Sequence, residues 1–315
     1  MNTISKIKNT IKQNDFARIL IEEHKRKKYT SLAEKVSDRE FIEKLYEKRI
    51  GRKPDLDSPQ TFTEKLQWLK LNYRNPDIPR ASDKYEAKKY IAEKGFSDLL
   101  IPTLAVYDSA DEINLDELPD EFIIKATHGS GWNYICKNKQ TFNLKAKKKI
   151  MNSWLKQNLY VYGRERNYKE QKPRLIVEPL IDDKPLVDYK FLCFNGECKA
   201  VQVNHDYAGV HYVEFYDSEW NLFPDMSSGT APVSGKPLPK PAAFGKMKNT
   251  AENLAKSFIF VRADLYDTDG RIYFGEMTFF PGSGFWHITP EKYDRMFGEW
   301  LEIKEFIDEE NTEKI

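Results

Sequence analysis

Apolar positions recur with a helical period through the first seventy-five or so residues. Ile4, Ile7 and Ile11 form a narrow stripe beside Lys6, Lys8 and Lys12. A break runs from Gly51 through Pro59, and Thr61-Phe-Thr-Glu64 then has the spacing of a capping box that opens a helix through Leu71. From Ala81 the rhythm changes. Ser82-Asp83 predicts a cap for a helix reaching about Lys94, and another helix is predicted over 144–158. Period-two or continuous apolar runs predict strands over 99–107, 121–126, 132–136, 174–178, 187–194, 198–203 and 211–216. Asn195-Gly196 between two of these is a strong hairpin signal. Residues 225–241, rich in Gly, Ser and Pro, predict an exposed, mobile connection, and Pro241 predicts the start of a helix ending near Ser257. No internal repeat is present.

The most informative pattern is the last pair of strands. Val261-Arg-Ala-Asp-Leu-Tyr266 and Ile272-Tyr-Phe-Gly-Glu-Met-Thr278 flank turn chemistry at Asp267-Thr-Asp-Gly270. A three-residue loop, 269–271, puts Asp264 directly opposite Glu276 and Arg262 opposite Thr278. Like charges about 5 Å apart destabilise a sheet, so a cation is expected between them. A hard divalent ion completed by phosphate oxygens and water is the candidate. The plainer alternative is the wet face of an amphipathic hairpin. Ile272 and Phe274, placed by this loop on the same face as Glu276, argue against it.

Composition narrows the partners. Lys and Arg number 50 against 49 acids, a net charge of +1, which makes no general case for nucleic acid. Three cysteines, Cys136, Cys193 and Cys198, without a Cys-x-x-Cys spacing, suggest a reducing compartment. With no apolar signal core and no membrane-length run, a cytoplasmic, soluble protein is expected. The basic stripe at 4–12 leaves weak membrane-surface contact open beside the plainer reading, a docked helix. At 315 residues, 13% aromatic, two or three lobes with aromatic-rich cores are expected.

Other chemistry-bearing positions are individually ambiguous. Lys125 ends a strand before His128-Gly-Ser-Gly-Trp132, where glycine amides suit an anion and the lysine adds charge; a tight turn beside a solvated lysine reads the same way. Lys190 sits in an apolar strand, Asp188-Tyr-Lys-Phe-Leu-Cys-Phe194, so it needs an anionic partner. That partner is phosphate or, structurally, Asp188 on the same face. Walker, nucleophile-elbow, zinc and dinucleotide fingerprints are absent.

Taken in order, Asp83-Lys84, Phe122-Ile-Ile-Lys125 with His128-Gly-Ser-Gly131, Arg164-Glu165 with Tyr168-Lys169, Glu178 to Ile181, Asp188-Tyr-Lys-Phe191, Arg262-x-Asp264 and Glu276-x-Thr278 resemble the ATP-grasp superfamily. Phe62-Thr-Glu-Lys-Leu-Gln-Trp68, Leu118-Pro119, Phe194-Asn-Gly196 and Phe274-Gly-Glu-Met-Thr-Phe279 with Pro281-Gly-Ser-Gly-Phe285 bring the resemblance closer to its branch related to teichuronopeptide biosynthesis proteins. It runs from about 45 to 300. It implies an α+β, ATP-grasp fold of two lobes gripping the nucleotide, after a helical N-terminal region. The expected division is 1–80 helical, 81–300 catalytic (119–180 the small ATP-binding lobe, 181–300 the metal-carrying lobe) and 301–315 a tail.

The resemblance also implies site residues. Lys125 and Lys190 would hold phosphates, with Lys84 near the nucleotide. The loop of His128, Gly129, Ser130 and Gly131 would close over the phosphates. Glu178 and Leu180 would line the adenine, and Arg262 would face the transferring phosphoryl group. Asp264 and Glu276 would carry Mg²⁺, with Thr278 standing where the superfamily usually has an asparagine ligand. The implied reaction is carboxylate–amine ligation through an acyl phosphate, joining an amino acid or peptide to a surface glycan or its precursor. A glycosyltransferase of the same pathway and an ATP-grasp phosphotransferase are the competing expectations.

Overall fold

In the computed structural model, residues 15–181, 187–229, 231–268 and 270–303 are described. The chain divides into two compact units, one built from residues 15–38, 83–85 and 101–181, the other from 39–82, 86–100 and 187–303. The apolar stripe at 4–12 and most of the tail after 300 lie outside the described residues.

The first unit carries a four-stranded antiparallel sheet of β1 (Ala105–Tyr107), β2 (Phe122–Ala126), β3 (Asn133–Cys136) and β4 (Leu175–Pro179), in the order β1-β4-β2-β3. Phe122, Ile124, Leu175 and Val177 alternate onto one face and pack against Ile150, Met151 and Trp154 of the helix Leu144–Trp154. Asn143 caps that helix by accepting from the Ala146 amide at 3.0 Å. A long helix, α1 (Asp15–Lys35), belongs to the same unit.

The second unit is organised by a five-stranded antiparallel sheet, β7-β6-β5-β8-β9, from β5 (Asp188–Phe194), β6 (Glu197–Tyr207), β7 (Val210–Asp217), β8 (Phe260–Thr268) and β9 (Arg271–Thr278). The turn joining β5 to β6 is Asn195-Gly196, both at positive φ, as the sequence predicts. One sheet face, with Phe191, Val201, Ala263 and Leu265, is buried under the helix Phe244–Ala255. The other face changes character along the strands. At one end Phe194 and Phe260 are covered by α2 (Phe62–Asn72), whose Phe62 ring lies 5.6 Å and 5.0 Å from theirs, and by Phe297 of α3 (Glu291–Trp300). Burying each such ring contributes about 1.5–3 kcal/mol. At the other end the same face carries charge.

The capping box of α2 is present: Glu64 accepts from the Thr61 amide at 3.1 Å, and Thr61 Oγ1 from the Glu64 amide at 3.4 Å. Asp294 of α3 accepts from the Thr63 amide at 2.9 Å and its hydroxyl at 2.7 Å, locking the two helices together.

The helix expected after Ser82-Asp83 is present as Glu86–Glu93, with Asp83 Oδ1 accepting from the Tyr85 amide at 2.9 Å just before it, and a separate short helix, Asp77–Ser82, precedes them. Other expectations are corrected. The strand expected over 99–107 survives only as β1. The connection at 225–241 is not simply exposed. Met226 is fully buried, Ser227 exchanges backbone hydrogen bonds with Thr289, and Leu238 O accepts from the Trp220 indole at 2.9 Å.

Candidate active site

On β8 and β9, Asp264 faces Glu276 and Arg262 faces Thr278, as expected, but the loop reaches this register by another route. Thr268 pairs with Arg271, and the extra residue is Gly275, a bulge on β9. A Cβ on Gly275 would lie 3.0 Å from the Asp264 carbonyl, so glycine suits the close approach. The bulge also overturns the facing argument. Leu265 pairs with Phe274 and Ala263 with Met277, which puts Ile272 and Phe274 in the core on the face opposite Glu276.

The cation expected between the carboxylates is supplied by the protein. Arg262 grips Asp264 with two parallel bonds, Nε to Oδ1 and Nη2 to Oδ2, both 2.7 Å, and Nη2 lies 3.4 Å from Glu276 Oε1. The Thr278 hydroxyl accepts from Arg262 at 3.0 Å and donates to Glu276 at 3.3 Å. Lys190, opposite Asp264 on β5, donates to Asp264 Oδ2 at 2.5 Å and also pairs with Asp188. The Lys190 ammonium thus has the structural partner the strand pattern offered, and a second carboxylate besides.

The cluster is buried: Asp264 is 1% exposed, Lys190 and Arg262 each 8%. Burial pulls the Lys190 ammonium down most strongly of any single cause, but the charges of Asp264 and Asp188 together, with the Asp188 hydrogen bond, leave a net shift upward. Arg262 is raised likewise by Asp264 against the pull of burial. Asp188 goes the other way. Burial first, then the neighbouring Asp264 charge, push its carboxyl up to about 6, and its buried Oδ1 has no hydrogen-bond partner among the described residues.

In the first unit, Lys125 Nζ donates to Glu178 Oε2 at 2.8 Å across β2 and β4. Lys84 reaches the glycine-rich turn, Nζ donating to Gly129 O at 2.6 Å and its amide to Thr127 O at 3.0 Å. A Cβ on Gly129 would fall 2.1 Å from the Trp132 ring, so the turn closes tightly only with glycine there. Ser130 and Gly131 are exposed, while the His128 ring is 3% exposed and turned inward. Its Nε2 lies 3.0 Å from the Trp154 carbonyl, which calls for a proton on that nitrogen, and burial lowers its pKa. Leu180 is half-buried just beyond β4. Lys84, Lys125, the 128–131 turn, Glu178 and Leu180 belong to the first unit; Lys190, Arg262, Asp264, Glu276 and Thr278 belong to the second.

The donor set fits magnesium in one way. Two hard carboxylates side by side suit an ion that keeps waters and shares phosphate oxygens. No all-protein cage is available: among the described residues, no three His, Cys, Asp or Glu side chains converge on a metal-sized point.

Sequence reasoning missed the support beneath this site. Lys70 of α2, 1% exposed, donates to the Ser283 carbonyl at 2.6 Å and lies 4.5 Å over the Phe285 ring. Gln67 Nε2 donates to the Gly284 carbonyl at 2.6 Å. Together they hold a turn in which Gly282, Ser283 and Gly284 all have positive φ. The available signal was a lysine four residues after Leu66, on the same helical stripe as Leu66 and Phe62.

The family described as TupA-like ATPgrasp matches residues 64–302. No curated protein matches the chain. Among solved structures, a D-alanine–D-alanine ligase from Bacillus anthracis complexed with ATP is similar at 15% identity over 75% of this chain and 69% of that one, with a TM-score of 0.47. The ligase of the same name from Helicobacter pylori gives 13% identity, 78% and 68% coverage and 0.41. N5-carboxyaminoimidazole ribonucleotide synthetase from Thermus thermophilus gives 12%, 69%, 51% and 0.35. Likenesses this distant carry no argument about activity.

Proposed function

Because the chain belongs to the TupA-like ATP-grasp family, we propose that it is an ATP- and Mg²⁺-dependent carboxylate–amine ligase that joins an amino acid or peptide to a surface polysaccharide or its precursor. The observation that carries this reading is the Lys190–Asp264–Arg262–Glu276 cluster, two cations and two carboxylates on one sheet face inside the matched residues. Such a set binds and moves phosphate without needing a protein nucleophile.

In the first step a substrate carboxylate oxygen attacks the γ-phosphorus of ATP, the bond to the β-phosphate oxygen breaks, and an acyl phosphate and ADP form. In the second, an amine nitrogen attacks the acyl carbon, phosphate leaves, and the nitrogen loses a proton. Lys190 and Arg262 neutralise charge on the transferring phosphoryl group, Asp264 and Asp188 hold the Lys190 ammonium in place, and Thr278 orients Arg262 and Glu276. In the first unit Lys125, Lys84 and the exposed amides of the 128–131 turn serve the nucleotide phosphates, with Glu178 and Leu180 at its base. Asp264 and Glu276 would hold magnesium, which when bound neutralises phosphate charge. The reaction belongs in the cytoplasm, where ATP is supplied. Among the described residues no helix is long and apolar enough to cross a membrane, and membrane-surface contact through the basic stripe at 4–12 stays part of the proposal.

The test is ADP release that requires both an acid and an amine. Release with neither, alongside turnover of a sugar nucleotide, would replace the ligase by a glycosyltransferase. A stable phosphorylated product would replace it by a phosphotransferase.

A further inference from the structure

The glycine-rich turn of the first unit is held at its base far more firmly than at its tip. Backbone bonds fix the base: the Ala126 amide donates to the Trp132 carbonyl at 2.9 Å, the Thr127 amide to the Arg174 carbonyl at 2.9 Å, and the Lys84 amide to the Thr127 carbonyl at 3.0 Å. The residues that flank the tip are tied by their rings. Trp132 lies against Gly129 and packs on the apolar core beneath, 5.4 Å from the His128 ring. His128 Nε2 donates at 3.0 Å to the carbonyl of Trp154, the last residue of the helix Leu144–Trp154. Past these ties, Ser130 and Gly131 are exposed, and Gly131 turns the chain at φ +70°.

The His128 bond has a defined chemistry. Carbonyls in the last turn of a helix lack intrahelical partners, and a donor reaching one from another element ties the two together. A carbonyl only accepts, so Nε2 carries the proton. Nδ1 is then a buried acceptor with no hydrogen-bond partner among the described residues. A second proton there would find nothing to donate to, so the ring is neutral, and burial disfavours the charged form in the same sense. The Trp154 carbonyl also accepts from the Gln157 amide at 2.9 Å. It keeps a partner if His128 is removed, and the loss falls on the turn.

We propose that His128 is a positioning residue for the nucleotide phosphates: a neutral imidazole, protonated on Nε2, that pins the start of the turn to the end of the helix Leu144–Trp154, so that phosphate binding moves only residues 129–131. This rests on the ligase reading, which takes the turn as a phosphate site, and it changes how the turn works. A short tip settles onto phosphate from a fixed base, and the whole loop does not swing shut. Ordering 129–131 costs less backbone entropy than ordering all of 126–132.

Calorimetry on the full chain tests this without knowing the acid or the amine. Binding of the β,γ-imido analogue of ATP with Mg²⁺ is compared with binding of adenosine, which has no phosphate. His128→Phe keeps a ring and loses the donor. It should weaken the analogue ~10-fold, the order of one buried hydrogen bond, and leave adenosine unmoved. His128→Gln keeps an N–H donor at the end of the side chain and should bring the analogue back to within ~3-fold of the wild type. Equal losses for analogue and adenosine, no loss for either, or no recovery with glutamine would overturn the positioning role while the ligase reading stands. Hydrogen exchange in the wild type covers variants that fail to fold. The amides of 129–131 should slow when the analogue binds, with those of Ala126 and Thr127 already slow without it. Amides over all of 126–132 slowing together would overturn the fixed base. An analogue that does not bind the wild type would fall on the ligase reading itself.

Discussion

Replacing Asp188 by asparagine should stabilise the protein at neutral pH and not at acid pH. The Asp188 carboxyl is pushed from about 3.8 to about 6 by burial and by the charge of Asp264. A carboxyl whose folded pKa lies above its unfolded one is held more tightly as the neutral acid in the native state. Stability from this group is therefore present below about pH 4, is lost as pH rises to about 6, and stays lost above. Roughly two pKa units at 1.36 kcal/mol each set a ceiling of about 3 kcal/mol. The side chain retains 22% exposure and an amide buried there also costs free energy, so about half of that ceiling is expected. At 2–4 °C per kcal/mol, Asp188→Asn should melt about 3–6 °C above the wild type at pH 8, with the gap narrowed to about a third by pH 4.5. Melts followed by near-ultraviolet circular dichroism at both pH values make the measurement. A variant that melts at or below the wild type at pH 8, or with the same gap at both, would refute the account of a destabilised carboxylate. The same variant should lose ADP release, because an amide no longer anchors the Lys190 ammonium by charge. Stability is then forgone at a site that function requires.

Three further outcomes follow from the geometry. Glu276→Gln should lower ADP release by at least ~100-fold while shifting the melt by no more than about 2 °C, since Glu276 is a third exposed and meets Arg262 only at 3.4 Å; near-normal turnover would remove it from the metal site. Lys125→Ala should weaken ATP binding about tenfold by calorimetry, a loss of ~1.4 kcal/mol, and an unchanged affinity would leave Lys125 as a structural partner of Glu178. Lys70→Met removes a donor that meets the Ser283 carbonyl more closely than Gln67 does, at a cost of about 1–3 kcal/mol. It should speed hydrogen exchange in the 281–286 turn and raise KM for the acid more than it lowers kcat, and unchanged exchange would deny the clamp.

Local chemistry was readable wherever a short motif closes on itself. Thr61 and Glu64 satisfy each other within one turn of helix, and Asn195-Gly196 sets its own backbone, so both are present as expected. Distance along the chain defeated the rest. Lys84 is drawn to Gly129, forty-five residues on, a contact that no nearby apolar pattern announces. Met226 and Leu238 lie in a stretch whose Gly, Ser and Pro content reads as exposed, yet tertiary partners bury or hold them. Lys70 reads as a surface helix lysine until Ser283, more than two hundred residues on, supplies its acceptor.

The carboxylate pair shows how a right expectation can stand on a wrong step. Pairing by parity put Asp264 opposite Glu276 and put Ile272 and Phe274 beside them; the bulge at Gly275 keeps the first and reverses the second. Electrostatics proved the sounder guide, since like charges across a ladder demanded a cation whatever the loop. What parity and electrostatics together did not supply was the cation's identity. Arg262 sits two residues from Asp264 on the same strand, so it shares that face by period alone and meets the demand first. Because Arg262 and Lys190 already compensate Asp264, a magnesium ion held there, as the proposed ligase would require, would compete with those cations unless phosphate drew them away. On that proposal the binding of ion and nucleotide would be coupled through a single buried carboxylate, Asp264.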